Sequence, residues 1–205
     1  TLGHAGFMSV GAYAGCIFAK TYANVLPMAI RFPAAILVGG IFAAVFGILI
    51  GIPVLRLKGD YLAIVTLAFG EIVRSVIINF DFTGGPSGLK GTPQDANYIN
   101  AFVVVLLTVI LISNLISSRH GRAIMAIRDN RIAAESTGLN VTYFRMLAFV
   151  VAAFFAGVAG VLYGHNISIL QASTFGFNKS IEILVMVVLG GMGNILGSVI
   201  SAVVI

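Results

Sequence analysis

Glu71 and Arg74 lie one helical turn apart inside a stretch that is otherwise apolar from Tyr61 to Phe80. Ionisable groups at membrane depth are costly, and an i, i+3 pair of opposite charge neutralises itself locally. The pair therefore reads either as a structural couple or as a polar lining with a role in gating. His4, within "LGHAG", poses a similar choice between a hydrogen-bonded structural group and a proton carrier. His120 falls in a polar loop and His165 at a span end. In "GGMGNILG", Gly190, Gly191, Gly193 and Asn194 interrupt an apolar run. Clustered glycines either pack helices closely or break a helix, whose freed backbone groups then line a cavity. Metal and disulfide chemistry find no footing, because Cys16 is the single cysteine and the three histidines are scattered without an H-E-x-x-H spacing.

The elements that hold these residues follow from composition. Hydrophobic residues make up 59% of the chain and charged residues 9%, against about a quarter charged in soluble domains. So few charges cannot cover a water-facing surface. The apolar runs are continuous over ~20 residues, which predicts an all-α, polytopic transmembrane bundle and not a β-barrel. About six spans or partial spans are expected: Leu2 to Ala19 (partly missing or re-entrant), Ala34 to Leu55, Tyr61 to Phe80, Ile99 to Ser118, Met146 to about Gly164, and Ile183 to the end. Small residues recur at every fourth position in Ala152, Ala156, Gly160 and Gly164, in Ala43, Gly47 and Gly51, and in Gly193, Gly197 and Ser201, the spacing at which helices pack in lipid. Residues 1–205 read as one membrane domain, truncated at both ends. The net charge of +5 is spread between apolar runs, which argues against nucleic-acid binding.

Basic residues orient the spans. Loops on one side hold Arg56, Lys58, Arg119, Arg122, Arg128, Arg131 and Arg145, whereas the opposite loops hold Lys20, Arg31, Lys90 and Lys179. This places residues 119–145 in the cytoplasm and the turn-rich 81–98 loop outside. Residues 122–138 read as a short helix, with Arg128, Arg131 and Glu135 at i, i+3, i+7 and apolar contact from Ile124, Ile127, Ile132 and Ala134. Gly138 is its expected stop, and Asn140 or Thr142 caps the next helix. A connector between spans needs only a few residues, yet this one has about 27, which favours a docking helix over a topological spacer. Ser180 and Glu182 read as the cap and first turn of a further helix.

The passage "GRAIMAIRDNRIAAESTGLNVTYFRMLAF" resembles the coupling loop of ABC-importer permeases. Ala133, Ala134 and Gly138 match the A-A-x-x-x-G core of the EAA motif, although Ile132 stands where the motif has Glu and its downstream Pro is absent. "LGHAGFMSVGAYAG", "GDYLAIVTLAFGEIVRS" and "SIEILVMVVLGGMGNILGSVIS" are similar, in the same order, to the LivM-type subunit of the branched-chain amino acid and ribose permease family. That resemblance implies a non-enzymatic permease in the bacterial inner membrane. It also implies a second permease subunit, two cytoplasmic ATPases carrying ATP and Mg, and an external solute-binding protein. Residues 122–138 would be the ATPase-coupling segment, and the cargo would be branched-chain amino acids or similar small polar solutes such as urea or short amides. The lack of a G-x-x-x-x-G-K-[ST] loop agrees that energy comes from a partner, with no cofactor on this chain. An ion-coupled secondary transporter or channel is the main rival, since broken helices and an intramembrane Glu/Arg pair suit it too. A remoter rival rests on "GPSG", residues 85–88, which has the G-x-S-G form of intramembrane serine proteases; Ser87, however, lies in a polar loop and not at an apolar helix start.

Overall fold

The computed structural model describes residues 2–57 and 59–205, so the expectation attached to Lys58 lies outside the described residues. Nine α-helices account for most of them: α1 (His4–Thr21), α2 (Met28–Val54), α3 (Asp60–Asn79), α4 (Tyr98–Ser117), α5 (Arg119–Asp129), α6 (Arg131–Ser136), α7 (Val141–Asn166), α8 (Phe177–Leu189) and α9 (Ile195–Val204). Two short strands, β1 (Leu89–Lys90) and β2 (Ile169–Leu170), pair antiparallel with Leu89 opposite Leu170. Among the described residues, four helices are long and apolar enough to cross a bilayer: α2, most of α3, α4 and α7.

The centre of the bundle is α1 packed between α2 and α7, with α3 on its other side. Lipid tails are as apolar as leucine, so burial alone does not drive helices together in a membrane, and close backbone contact must do more. Small residues provide it here. A Cβ added at Gly11 would fall onto the backbone of Gly157, and one added at Gly160 onto the carbonyl of Met8. Gly39 rests on Gly11 and Val161 in the same way. Phe7 fills the remaining space, packing on Phe69 and edge-on to Phe149. The expected stripe from Ala156 to Gly164 thus faces α1, whereas Ala152 at its head is exposed. By contrast, α4 buries none of its residues and stands at the periphery.

Three expectations change. The first span is not re-entrant: α1 runs unbroken for 18 residues and is buried along most of its length. The sixth is not one span. The chain leaves α8 at Leu189, turns through residues 190–194 with Gly191 and Gly193 at φ +88° and +94°, and restarts at Ile195, where Asn194 accepts the Gly197 N–H. Only residues that tolerate positive φ fit this turn, which an apolar average over the region conceals. Third, Ser180 does not cap α8, which begins earlier, at Phe177. Its hydroxyl instead accepts the Ala5 N–H at the start of α1, and Glu182 pairs with Lys179 at 2.8 Å. Lys179 is therefore a helical residue facing Glu182 and not a loop cation. Arg31 likewise lies in the first turn of α2, not in a loop.

Candidate functional site: a two-helix loop and its contacts

Residues 119–140 form two helices where the sequence suggests one. Asn130 adopts an extended backbone (φ −152°, ψ 101°) and its side chain accepts the Ala133 N–H, so it ends α5 and caps α6 in a single residue. Asn is among the preferred N-caps, and this signal was present in "RDNRIAA". Because of the break, Arg128, Arg131 and Glu135 do not share one helical face. Gly138, at φ +83°, closes α6 as expected, and Asn140 caps α7 through the Tyr143 N–H.

One side of the loop is fastened to its own chain. Ile127, Ala134 and Val141 are buried together, with Leu139 and Phe144 packed against them. Ala134 therefore anchors α6 to α7 and does not face outward. Ala134→Leu is expected to overpack this contact and cost about 1–3 kcal/mol, read as a lower unfolding temperature of the detergent-solubilised protein. Gly138 has open space around the position of a Cβ, so Gly138→Ala should cost only the left-handed backbone penalty of about 1 kcal/mol. The other side is open: Arg122, Arg128, Arg131, Ala133 and Glu135 are exposed, and Ile132 is 81% exposed at the apex.

Between this loop and the bundle lies a cavity of ≈ 680 Å³, walled by Phe7, Leu62, Phe149 and Ala153, with His4, Arg128, Arg131 and Arg145 on its lining. A smaller one of ≈ 370 Å³ adjoins it, sharing Leu55, Arg131 and Arg145 and adding Arg56. The same end of the molecule thus holds the starts of α1, α3 and α7 and the end of α2.

Two of the groups singled out in the sequence acquire partners that no local pattern announces. Glu71 accepts from Arg74 Nε at 2.9 Å, as the spacing suggests, and also from the Phe177 N–H at 3.2 Å, 106 residues away. The carboxylate therefore caps α8, meeting an orphan N–H and the positive end of a helix dipole. The structural reading of Glu71 and Arg74 gains its reason here. Gly193, in the turn after α8, lies beside α5: a Cβ at that position would come within 2.8 Å of Arg128 Nη1. One side chain of the loop and one glycine of the broken helix are thereby neighbours.

A third cluster went unread in the sequence. At the opposite end of the bundle, Arg31 of α2 donates to both carboxylate oxygens of Asp95, at 2.7 and 2.8–2.9 Å, and to the Ala23 carbonyl. His165 of α7 is fully buried, its Nδ1 2.8 Å from the Pro93 carbonyl and 4.0 Å from Asp95. Together these pin the 81–97 loop across two helices. Arg31→Gln would leave the buried Asp95 charge uncompensated, and a loss of about 3–5 kcal/mol is expected, measurable by thermal unfolding in detergent. Ser87 stands exposed in a short 3-10 turn, and no hydrogen bond joins it to the sealed His165 ring, so the protease pairing does not form.

The helices and contacts define a polytopic membrane bundle in which Glu71 caps a helix, Arg31 and Asp95 pin a loop, and a second loop is exposed. A family model described as the branched-chain amino acid transport system permease component matches residues 1–205, and the chain belongs to that family. It is 34% identical over 239 residues to the high-affinity branched-chain amino acid transport system permease protein LivM of Salmonella typhimurium, and equally to that of Escherichia coli, covering 100% of this chain and 55% of each relative. The LivH permease of Salmonella typhimurium is 32% identical over 114 residues, 56% of this chain and 36% of that protein. The ribose import permease RbsC of Haemophilus influenzae is 25% identical over 217 residues, 96% and 64% respectively. The chain spans about half the length of the LivM relatives it matches. No solved structure matches. These relatives are transport permeases and not enzymes.

Proposed function

We propose that this chain is part of a membrane-spanning permease subunit of an ATP-binding cassette importer for branched-chain amino acids or similar small polar solutes. The observation that carries the reading is the form of residues 119–140: one side nailed to α7 through Ile127, Ala134 and Val141, the other presenting Ile132 and five further exposed positions. A loop built this way transmits a push, because its anchor is rigid and its free face is available to a partner. In this reading the partner is a pair of cytoplasmic ATPases holding ATP and Mg, the loop lies in the cytoplasm, and the 81–98 loop faces the external solute-binding protein. The names of the LivM and LivH relatives support a second, different permease subunit beside this one.

The candidate gating residues divide by role. Motion of α5 passes from Arg128 to Gly193 and so to the turn formed by Gly190, Gly191 and Asn194, then along α8 to the cap at Glu71 and Arg74 in α3. His4 faces the cavity beneath α5. Gly193→Val should leave assembly intact but lower ATP-driven uptake several-fold, because a branched residue at φ +94° strains the turn and displaces Arg128.

The test is uptake of labelled leucine into proteoliposomes holding the co-purified complex. Uptake should require hydrolysable ATP and survive ionophores that collapse ion gradients. Uptake that continues without the ATPase and follows an ion gradient would establish the secondary-transporter reading instead.

A further inference from the structure

Four arginines from four separate elements converge where the bundle meets the loop: Arg56 after α2, Arg128 of α5, Arg131 of α6 and Arg145 of α7 line the two adjoining cavities. Arg128 is matched by Asp129 at 2.9 Å. Among the residues whose side chains are described, Arg56, Arg131 and Arg145 have no hydrogen-bond or ion-pair partner, and none of those lining either cavity is acidic. Like charges gathered at one place repel unless an anion joins them. Directly beneath, the larger cavity is walled by apolar side chains from Phe7, Leu62, Phe149 and Ala153, and the exposed Ala152 stands on its lining.

We propose that this is a binding site for one anionic phospholipid. Its phosphate is held by Arg56, Arg131 and Arg145, and an acyl chain occupies the apolar cavity of ≈ 680 Å³ between α1, α3 and α7. The location fits, because Arg56 and Arg145 sit at the ends of the membrane helices α2 and α7, the level at which headgroups lie, and basic pockets between such helices attract anionic lipid. Guanidinium groups suit phosphate through paired N–H donors. A free amino acid suits the site less well, since among the described side chains its ammonium would meet arginines and no carboxylate. The bound lipid would brace α6 and α7 against the end of α2. This inference needs only that the chain spans a bilayer, and holds whether or not α5 and α6 grip an ATPase.

Native mass spectrometry of the full-length protein in its complex, exposed to phosphatidylglycerol or phosphatidylcholine, tests it. Phosphatidylglycerol should remain bound at least tenfold more strongly, and Arg56→Gln with Arg145→Gln should remove that preference. Ala152→Leu, which leaves every arginine in place, should weaken retention by narrowing the cavity. Equal retention of the two lipids, or undiminished retention in either variant, overturns the proposal. So does displacement of the bound lipid by inorganic phosphate or by leucine at concentrations that leave an unrelated lipid site filled, because the site would then be one for soluble anions. If the double arginine variant does not fold, Ala152→Leu and the comparison of the two lipids still decide.

Discussion

Ile132→Asp is expected to strip the ATPase subunits from the purified complex while leaving the membrane helices intact. Ile132 is 81% exposed on a loop whose other large aliphatic side chains are buried, as Ile127 is, or half-buried, as Ile124 is. A large aliphatic side chain held out on a rigid turn is the form of an interface anchor, and burying it is worth about 1.5–3 kcal/mol. Replacing it with a carboxylate loses that burial and adds a desolvation cost, so binding should weaken by at least about 30-fold, the equivalent of a 2 kcal/mol hot spot. Co-purification and ATP-driven uptake should fall together, and Ile132→Leu should restore both. Unchanged co-purification in Ile132→Asp would mean that the loop does not dock by its apex, and the coupling role would then have to be abandoned.

The second large effect is structural. Gly160→Val should prevent the bundle from assembling, because a side chain there would collide with the Met8 carbonyl of α1 and not with a movable side-chain tip. Overpacking in a tight core costs about 1–3 kcal/mol where neighbours can shift. Here the obstacle is helix backbone, so the cost should exceed that range. The expected readout is loss of monodisperse protein after solubilisation. Gly70→Ala serves as the control, since the nearest atoms to a Cβ at Gly70 lie at 3.7 Å, an ordinary contact. Equal behaviour of the two variants would show that the α1–α7 contact does not hold the bundle together.

Much of the architecture was legible residue by residue. The third, fourth and fifth spans fall within a few residues of α3, α4 and α7, because an apolar run of bilayer length is a one-dimensional property. The stop at Gly138 and the cap at Asn140 were readable for the same reason, since each depends on the local backbone alone. The misreadings also share a cause. The break at Asn130 is hidden by the helical periodicity on either side of it, although Asn is a capping residue, whereas the glycine cluster at residues 190–193 signals the interruption that the structure resolves as a turn. Ile132 was assigned to apolar packing on periodicity, and its exposure follows only once α5 and α6 are separate helices.

Composition and local pattern alone determined that this chain is a lipid-embedded helical bundle with one long, basic connector, because hydration cost and backbone propensity act on each segment independently. Which polar groups far apart in the chain meet was decided by the tertiary structure. Glu71 meets Phe177 across 106 residues, Arg31 meets Asp95 across 64, and three arginines from distant elements share a cavity edge with no ion-pair partner among the described residues. A buried charge is stable only beside a partner; the Glu71–Arg74 pair follows from spacing, but the partner of Arg31 is chosen by how the helices pack.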